Sequence, residues 1–197
     1  MKHTILAFLI LFLTSCSKDD DNTLQDQLPL ATTTGANTAG CYINGELLIP
    51  KNGINSASGF ATYGLEYVVG PQFNPSFDDY FCLWIANRKD KNYMLYIYIP
   101  TLISGVGDYN IGQSNGNTES DGPNNPDILV FIKNADNTYK TFYSSNNSGI
   151  ISITRFDYAN KIYSGTFSCT LYNKDNVSEI IQVTDGRFDI GIATLNN

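Results

Sequence analysis

The chain has 197 residues, with 12 Lys and Arg against 19 Asp and Glu, so its formal net charge is −7 at pH 7. Nucleic-acid binding needs clustered Lys and Arg that displace counterions from phosphates, so this acidic balance argues against a nucleic-acid partner. The one histidine is His3, and it lies in a segment that we predict is removed from the mature protein.

The N-terminus has the pattern of a signal peptide, with Lys2 followed by an apolar run over residues 5–13. A membrane-spanning helix needs about 20 apolar residues, and this run has roughly half that number. The ending Leu13-Thr14-Ser15-Cys16 resembles the bacterial lipobox, in which the cysteine is acylated and becomes the mature N-terminus. We therefore predict a signal peptide over residues 1–15 and a Cys16 whose acyl chains anchor the protein in a membrane.

Residues 16–37 contain hardly any large apolar side chains, which predicts a lipidated cysteine followed by a flexible polar tether. A tether of about 22 residues has a root-mean-square span of roughly 25 Å. The acidic run Asp19-Asp20-Asp21 resembles the signal that sends lipoproteins of the Bacteroidetes group to the outer face of the outer membrane. We therefore expect a lipid-anchored, surface-exposed protein of the outer membrane, with a merely solvated linker as the alternative.

From residue 38 to residue 197, short runs rich in Val, Ile, Tyr and Phe alternate with Gly, Asn and Asp clusters, which predicts a single antiparallel β domain. The pattern predicts hairpins over 41–49, 80–99, 127–143, 150–172 and 177–192, and a further strand or pair of strands over 60–70. Asn44-Gly45 and Asp185-Gly186 are the expected turn residues of the first and last hairpins.

The predicted strand 81–86 is apolar on both faces, which suits a central strand covered on both sides. Other runs alternate apolar and polar residues, which suits strands with one buried face. We expect an all-β fold, either an antiparallel β-sandwich or a closed β-barrel, with a lipocalin-like barrel as the alternative.

Two stretches carry distinctive motifs: residues 28–45, which include Gly35-Ala36-Asn37-Thr38-Ala39-Gly40-Cys41, and residues 164–168 together with Val183-Thr184-Asp185-Gly186-Arg187-Phe188-Asp189. On these motifs the chain resembles a Bacteroidetes-group outer-membrane lipoprotein family of unknown function. That family has no assigned activity, so the resemblance implies the location and the fold alone. Arg187 and Asp189 share one face of a strand, where they could pair with each other or with a neighbouring strand.

Once Cys16 is acylated, three cysteines remain, Cys41, Cys82 and Cys169. An odd number allows at most one disulfide within the chain. Their spacing fits no zinc site, and no histidine accompanies them. We expect buried free thiols that pack as small apolar groups, with a single disulfide as the alternative.

A mature chain without histidine has no Ser-His-Asp or Cys-His relay and no histidine-bearing metal site. No Gly-rich phosphate loop precedes a helix, which gives nucleotide binding no support. We therefore expect neither a metal nor a cofactor. A carboxylate pair could still hydrolyse a glycoside, with Asp78 and Asp79 as candidates and Glu66, Asp108 or Asp157 as the partner.

Two features are candidates for ligand binding. Tyr93, Tyr96 and Tyr98 lie in one predicted strand and could form an aromatic platform for a sugar or a peptide, although tyrosine also favours strands in general. The second feature is the long polar segment 112–127, because loops of this length are uncommon unless they are functional or disordered.

That segment carries four polar residues at alternating positions, Asn115, Asn117, Glu119 and Asp121. Their oxygens could bind calcium, but Ser120 stands where an EF-hand loop needs Gly and Pro126 stands where it needs Glu. We therefore expect a flexible polar loop without a metal, and this loop stays a candidate for ligand binding.

Together these features favour a non-catalytic surface domain that binds a glycan, a peptide or a partner protein. The alternatives are a lipocalin-like carrier of a small apolar ligand, a carboxylate-dependent glycoside hydrolase and a structural assembly subunit. A packed core of Phe81, Trp84, Phe131 and Phe167 would exclude the carrier. Two acids that converge in one groove would favour the hydrolase.

Overall fold

The computed structural model describes residues 26–55, 58, 61–69, 80–89, 93–102 and 105–196. Of these residues 57% lie in strands, and none lies in an α-helix. The described residues contain no helix that is long and apolar enough to cross a membrane. The strands are β1 (Thr38–Ile43), β2 (Glu46–Leu48), β3 (Gly53–Ile54), β4 (Ala61–Thr62), β5 (Leu65–Val69), β6 (Phe81–Ala86), β7 (Tyr93–Ile99), β8 (Gly107–Asn110), β9 (Asp127–Lys133), β10 (Tyr139–Asp157), β11 (Ile162–Asn173) and β12 (Ile180–Gly191).

Ten strands form one antiparallel sheet in the order β2-β1-β12-β11-β10-β9-β7-β6-β5, and β8 pairs with β10. β3 and β4 form a separate two-stranded sheet. The large sheet is strongly curled into a half-barrel, consistent with a β-sandwich or a barrel. The all-β prediction is therefore confirmed.

The main core lies on the concave face of the curled sheet. Successive side chains of a strand point to opposite faces, and Phe81, Leu83 and Ile85 of β6 are all fully buried on this side. The ring of Phe81 lies 5.9 Å from that of Tyr163 and 6.3 Å from that of Phe188, between centroids. Large side chains thus fill the space that the sheet encloses.

A second apolar cluster lies on the convex face of β6, β7 and β9. Its buried members are Cys82, Tyr96, Tyr98 and Leu129, with Trp84 and Phe131 among the half-buried rings packed against them. β6 is therefore covered on both faces, as its sequence predicts. Residues 111–126 pass over this cluster. Their backbone lies so close to it that a Cβ atom added to Gly122 would be only 2.5 Å from the ring of Tyr98.

The predicted turn at Asn44-Gly45 is confirmed, since both residues have positive φ angles, 49° and 82°, between β1 and β2. The predicted turn at Asp185-Gly186 is wrong, because β12 runs through it without a break. Asp185 does have a positive φ of 53°, but it belongs to a bulge in which two residues of β12 oppose Ser168 of β11. β12 stays extended because β1 and β11 pair with it on either side.

The second strand of the predicted hairpin 127–143 and the first strand of the predicted hairpin 150–172 are parts of one long strand, β10. The polar residues between them form an irregularity from Ser144 to Gly149, with Asn147 at a φ of 58°. On one side of this irregularity β10 pairs with β9, and on the other it pairs with β8. The break in the sequence pattern therefore marks a change of neighbour within the strand.

The two motif stretches lie side by side, because β1 pairs with β12 and Ala39 is opposite Phe188. Asp189 does not pair with Arg187. Its buried carboxylate accepts six hydrogen bonds of 2.6 to 3.3 Å, from Thr32 Oγ1, Thr34 N and Oγ1, Gly35 N, Ala36 N and Ser164 Oγ. Residues 32–36, which precede the first strand, are thus fixed to the sheet.

Candidate functional site

A cleft of about 370 Å³ opens on the convex face, next to β5. Ligand pockets usually measure about 300–1,000 Å³, so this cleft suits a single sugar ring or one amino-acid side chain. Its lining combines apolar and polar residues: Glu66, Tyr67, Val68, Trp84, Glu119, Leu195 and Asn196.

Trp84 forms the aromatic part of the cleft. It is the only tryptophan of the chain and lies directly across from Glu66 in the β5–β6 pairing. Its ring centroid is 4.5 Å from that of Tyr96 and 5.9 Å from that of Phe131. These contacts hold the indole in place, while its half-buried state leaves part of the ring accessible in the cleft.

Glu119 enters the cleft from the segment 111–126. It begins a short 3₁₀ turn, Glu119–Asp121, and has a positive φ of 56°, which is uncommon for a residue other than glycine. Its backbone N–H donates a hydrogen bond of 2.7 Å to the hydroxyl of Tyr96. Its carboxylate is exposed and makes no hydrogen bond or ion pair with the described residues.

The hydroxyl of Tyr96 also lies 3.1 Å from the thiol sulfur of Cys82. Burial raises the pKa of Cys82 to about 12, and burial likewise raises the pKa of Tyr96 well above its usual value. Both groups therefore stay neutral at physiological pH. They support Glu119 from below and do not offer a reactive thiolate or phenolate.

Two further contacts shape the cleft. The guanidinium of Arg88 lies 3.5 Å from the carboxylate of Glu66, and Arg88 is itself held by the carbonyl of Tyr63 at 3.2 Å. The side-chain amide of Asn196 donates a hydrogen bond of 2.9 Å to the carbonyl of Leu65. This bond holds Asn196 against β5.

The three tyrosines predicted as a platform do not share a face. Tyr93 points to the other side of β7, and its hydroxyl donates a hydrogen bond of 2.9 Å to Glu46. Burial and this bond raise the pKa of Tyr93. Tyr96 and Tyr98 lie beneath the segment 111–126 and are only 0% and 5% exposed, so their rings are not accessible to a ligand in this arrangement.

The polar residues of the segment have different roles: Asn115 stabilises the fold of the segment itself, and Glu119 lines the cleft. Asn115 accepts a hydrogen bond of 2.9 Å from Asn117 N and donates one of 3.0 Å to the carbonyl of Asp121. Asn117 and Asp121 are exposed, and Glu119 lines the cleft. In the part of the chain described here, no group of three or more His, Cys, Asp or Glu residues is placed to hold a metal ion.

The acids proposed for a hydrolytic pair are spread over the sheet. Asp78 and Asp79 lie outside the described residues, as does Cys16. Glu66 is on β5, whereas Asp108 on β8 accepts a hydrogen bond of 2.6 Å from Ser152. Hydrogen bonds from Asn160 and Arg155 lower the pKa of Asp157, at the end of β10, to about 2. The structure does not bring these three acids together.

Sequence reasoning does not single out Asp127 as a site residue, yet it is the most unusual of the described polar residues on the convex face. It is 0% exposed, and neither of its carboxylate oxygens has a hydrogen-bond partner. Burial raises its pKa to about 7, although the nearby Ser114 hydroxyl acts in the opposite direction. The sequence did contain a signal, because strand alternation puts Asp127 on the same face as Leu129 and Phe131.

The described cysteines Cys41, Cys82 and Cys169 are all free and buried, as expected for thiols that pack as small apolar groups. Burial raises the pKa of Cys41 to about 12 and that of Cys169 further. None of the three is therefore suited to act as a nucleophile.

A second cleft, of about 410 Å³, lies over β8, β10, β11 and β12. It is lined by polar side chains such as Asp108, Ser152 and Arg187. Arg187 is already bonded to the carbonyls of Asp185 and Pro29, at 3.0 and 3.3 Å. The one aromatic residue of its lining, Phe167, is buried, so this cleft lacks the accessible ring that the Trp84 cleft offers.

Comparison of the chain with protein-family models, with curated proteins and with solved structures finds no significant match.

Proposed function

We propose that this chain is a surface-exposed lipoprotein, anchored through Cys16, whose β domain binds a ligand without transforming it. Among a glycan, a peptide and a partner protein, we propose a glycan, and we assign its binding to the Trp84 cleft. The sequence supports the anchor through the lipobox-like ending at Cys16.

The observation that carries the proposal is the combination of Trp84 with two carboxylates in one cleft. An indole ring offers a flat apolar surface for the C–H face of a sugar ring. Glu66 and Glu119 offer carboxylate oxygens to sugar hydroxyls, and hydrogen bonds to a charged acceptor are stronger than neutral ones. The volume of about 370 Å³ suits one sugar unit of a longer chain.

The packing of the interior supports binding on the outside. Phe81, Tyr163 and Phe188 pack against one another inside the half-barrel. A lipocalin-like carrier needs an interior with room for its ligand. A carrier role therefore gains less support than a role for the convex face.

The test is a screen of the purified mature protein, in detergent, against arrays of polysaccharides and peptides, followed by affinity measurements. Trp84→Ala removes a contact that contributes about 1.5–3 kcal/mol, so we expect affinity to fall about 10- to 100-fold. Trp84→Phe keeps an aromatic ring and should retain part of the affinity. Tyr139→Ala, which removes a 48% exposed ring outside the cleft, is the matched control.

Two results would contradict this assignment. Glycan binding that survives Trp84→Ala unchanged would show that the sugar binds elsewhere. Binding to peptides alone, lost in the same variant, would keep the cleft but replace the ligand class.

A carboxylate-dependent glycoside hydrolase remains a second candidate, because Glu66 and Glu119 line the same cleft. Such an enzyme needs two acids on either side of the scissile bond, about 5–10 Å apart. The polysaccharides that bind should therefore also be incubated with the protein and assayed for new reducing ends, which glycoside hydrolysis would produce. Turnover that is lost in Glu66→Gln and in Glu119→Gln, with the fold retained, would favour the hydrolase over the binding domain.

A further inference from the structure

Asp127 is buried in a way that carboxylates rarely are. Its two oxygens are the buried side-chain N and O atoms without a hydrogen-bond partner in the described part of the chain. Buried polar groups are nearly always paired, so an unpaired one calls for a physical explanation.

The segment above Asp127 is an unusual cover for an apolar cluster. Residues 112–126, the part of the segment 111–126 that follows the buried Ile111, contain no apolar side chain larger than those of Pro123 and Pro126. They nevertheless lie over Tyr96 and Tyr98, with the backbone of Gly122 packed on the ring of Tyr98. The cover contributes little apolar surface of its own, so its position depends strongly on hydrogen bonds.

Those hydrogen bonds are concentrated at its start. Ser114 N donates to the carbonyl of Ser144 at 3.1 Å, and Gln113 N donates to the side chain of Asn146 at 3.0 Å. Between residues 115 and 124, the single hydrogen bond from the described cover to the sheet is the one from Glu119 N to Tyr96. The middle of the cover is therefore hydrogen-bonded to the sheet at one point, next to the cleft.

The described groups around Asp127 include no cation, and the hydroxyl of Ser114 is the one that favours its ionised form. β10 contributes the ring of Tyr143, which packs against the same cluster. β6 contributes the thiol of Cys82, preceded by the ring of Tyr80, and β7 contributes the phenols of Tyr96 and Tyr98. Burial raises the pKa of Cys82 and of Tyr98 to about 12, so these groups are neutral. The cover contributes the hydroxyl of Ser114 and a second acid, Glu119.

We propose that residues 112–126 are a pH-controlled cover, closed when Asp127 is protonated and released when Asp127 ionises. Protonation lets the carboxyl stay beneath the cover without an unpaired buried charge, whereas ionisation favours water at that position. Release breaks the bond between Glu119 and Tyr96 and takes Glu119 out of the cleft. Ligand affinity then falls as the pH rises, and this last step rests on the function proposed above.

The pKa of about 7 for Asp127 puts the change near neutral pH. A transition in this range ordinarily indicates histidine, but the one histidine, His3, falls in the predicted signal peptide. A neutral transition in the mature protein would therefore need another group, and Asp127 is the described carboxyl with a pKa raised by burial.

The test measures hydrogen exchange of the amides of residues 112–126 in the mature protein between pH 5 and pH 9, corrected for intrinsic rates. We expect protection to fall at least tenfold as the pH rises through neutrality, and the fluorescence of Trp84 to change over the same range. Asp127→Asn, which keeps the shape without the charge, should remain protected throughout. Glu119→Gln removes the other acid and should keep the transition.

Equal loss of protection in the wild-type protein and in Asp127→Asn would overturn the proposal. So would constant protection of the wild-type segment from pH 5 to pH 9, a result that does not depend on whether any variant folds. Because exchange is measured without ligand, failure to find a glycan would leave this test intact. A cover that opens while ligand affinity stays constant would overturn the coupling to the cleft alone.

Discussion

Replacement of Asp189 tests how the N-terminal segment is fixed to the sheet. The carboxylate is 1% exposed and accepts six hydrogen bonds, three of them from the backbone N–H groups of Thr34, Gly35 and Ala36. Burial alone would raise the pKa of Asp189, but the bonds from Thr32, Ser164 and this backbone hold it well below its usual value. Asp189→Asn keeps the size, removes the charge and turns an NH₂ group towards donors.

The expected loss of stability is large. A hydrogen bond to a charged group contributes about 1.5–3 kcal/mol, but neighbouring bonds are not additive, so we expect a net loss of about 4 kcal/mol. The total free energy of unfolding of a folded domain is about 5–15 kcal/mol. With a urea m-value of about 2 kcal/mol/M, the midpoint should fall by about 2 M.

The measurement is urea unfolding of the mature protein, followed by circular dichroism. Asp136→Asn, in an exposed turn where the carboxylate accepts two described hydrogen bonds, both from Thr138, should lower the midpoint far less. A depressed pKa gives stability above the unfolded pKa, about 3.9, that is lost as the pH falls towards the folded value. Asp189→Asn should therefore also lose this acid dependence. An unchanged midpoint would refute the view that Asp189 fixes residues 32–36.

Four further predictions concern the anchor and the cover. Cys16→Ala should abolish acylation, and unchanged palmitate labelling would contradict the lipid anchor. Added protease should reach the domain on intact cells, and Ala at residues 19–21 should reduce this access; protection until the outer membrane is broken would indicate a periplasmic location. The folded pKa of Asp127, about 7, exceeds its unfolded value of about 3.9, so stability falls as the pH rises from about 4 to about 7 and stays at the lower value above that. Asp127→Asn should therefore raise the unfolding free energy at pH 8 by at most about 4 kcal/mol, at 1.36 kcal/mol per pKa unit, and urea unfolding measures this. Gly122→Ala puts a Cβ 2.5 Å from the ring of Tyr98 and should increase hydrogen exchange of the cover at every pH; unchanged exchange would show that the close contact does not hold it.

Local pattern predicts an element well where local rules decide its structure. The run 127–133 is a strand over its whole predicted length, and Asn44-Gly45 is a turn because its two flanking strands pair with each other. Asp185-Gly186 carries the same signal but lies in a strand that pairs on both sides. Whether the positive φ of Asp185 produces a turn or a bulge depends on neighbours that are distant in sequence.

The candidate site was predicted only in part for the same reason. Strand alternation separates Tyr93 from Tyr96, but it does not reveal that another segment covers Tyr96. Glu66 and Trp84 become neighbours only through the register of β5 and β6. Glu119 joins them because the segment folds back over β7 and bonds to Tyr96. A site built from three segments in this way has no signature in any one of them.

The motif residues and the cleft residues belong to different parts of the chain. The residues that join the first and last strands are therefore not the ones that line the cleft. Gly35 has a positive φ of 78° and lies against Gly191, where an added Cβ would come within 3.1 Å of its Cα atom. Asn37 accepts a hydrogen bond of 2.8 Å from Gly191 N, and Asp189 fixes residues 32–36. These requirements concern how the first and last strands join, and Trp84 and Glu119 take no part in them. Sequences that share the two motifs are therefore expected to share this junction. We expect substitutions in the cleft to change the binding proposed above and to leave the junction intact.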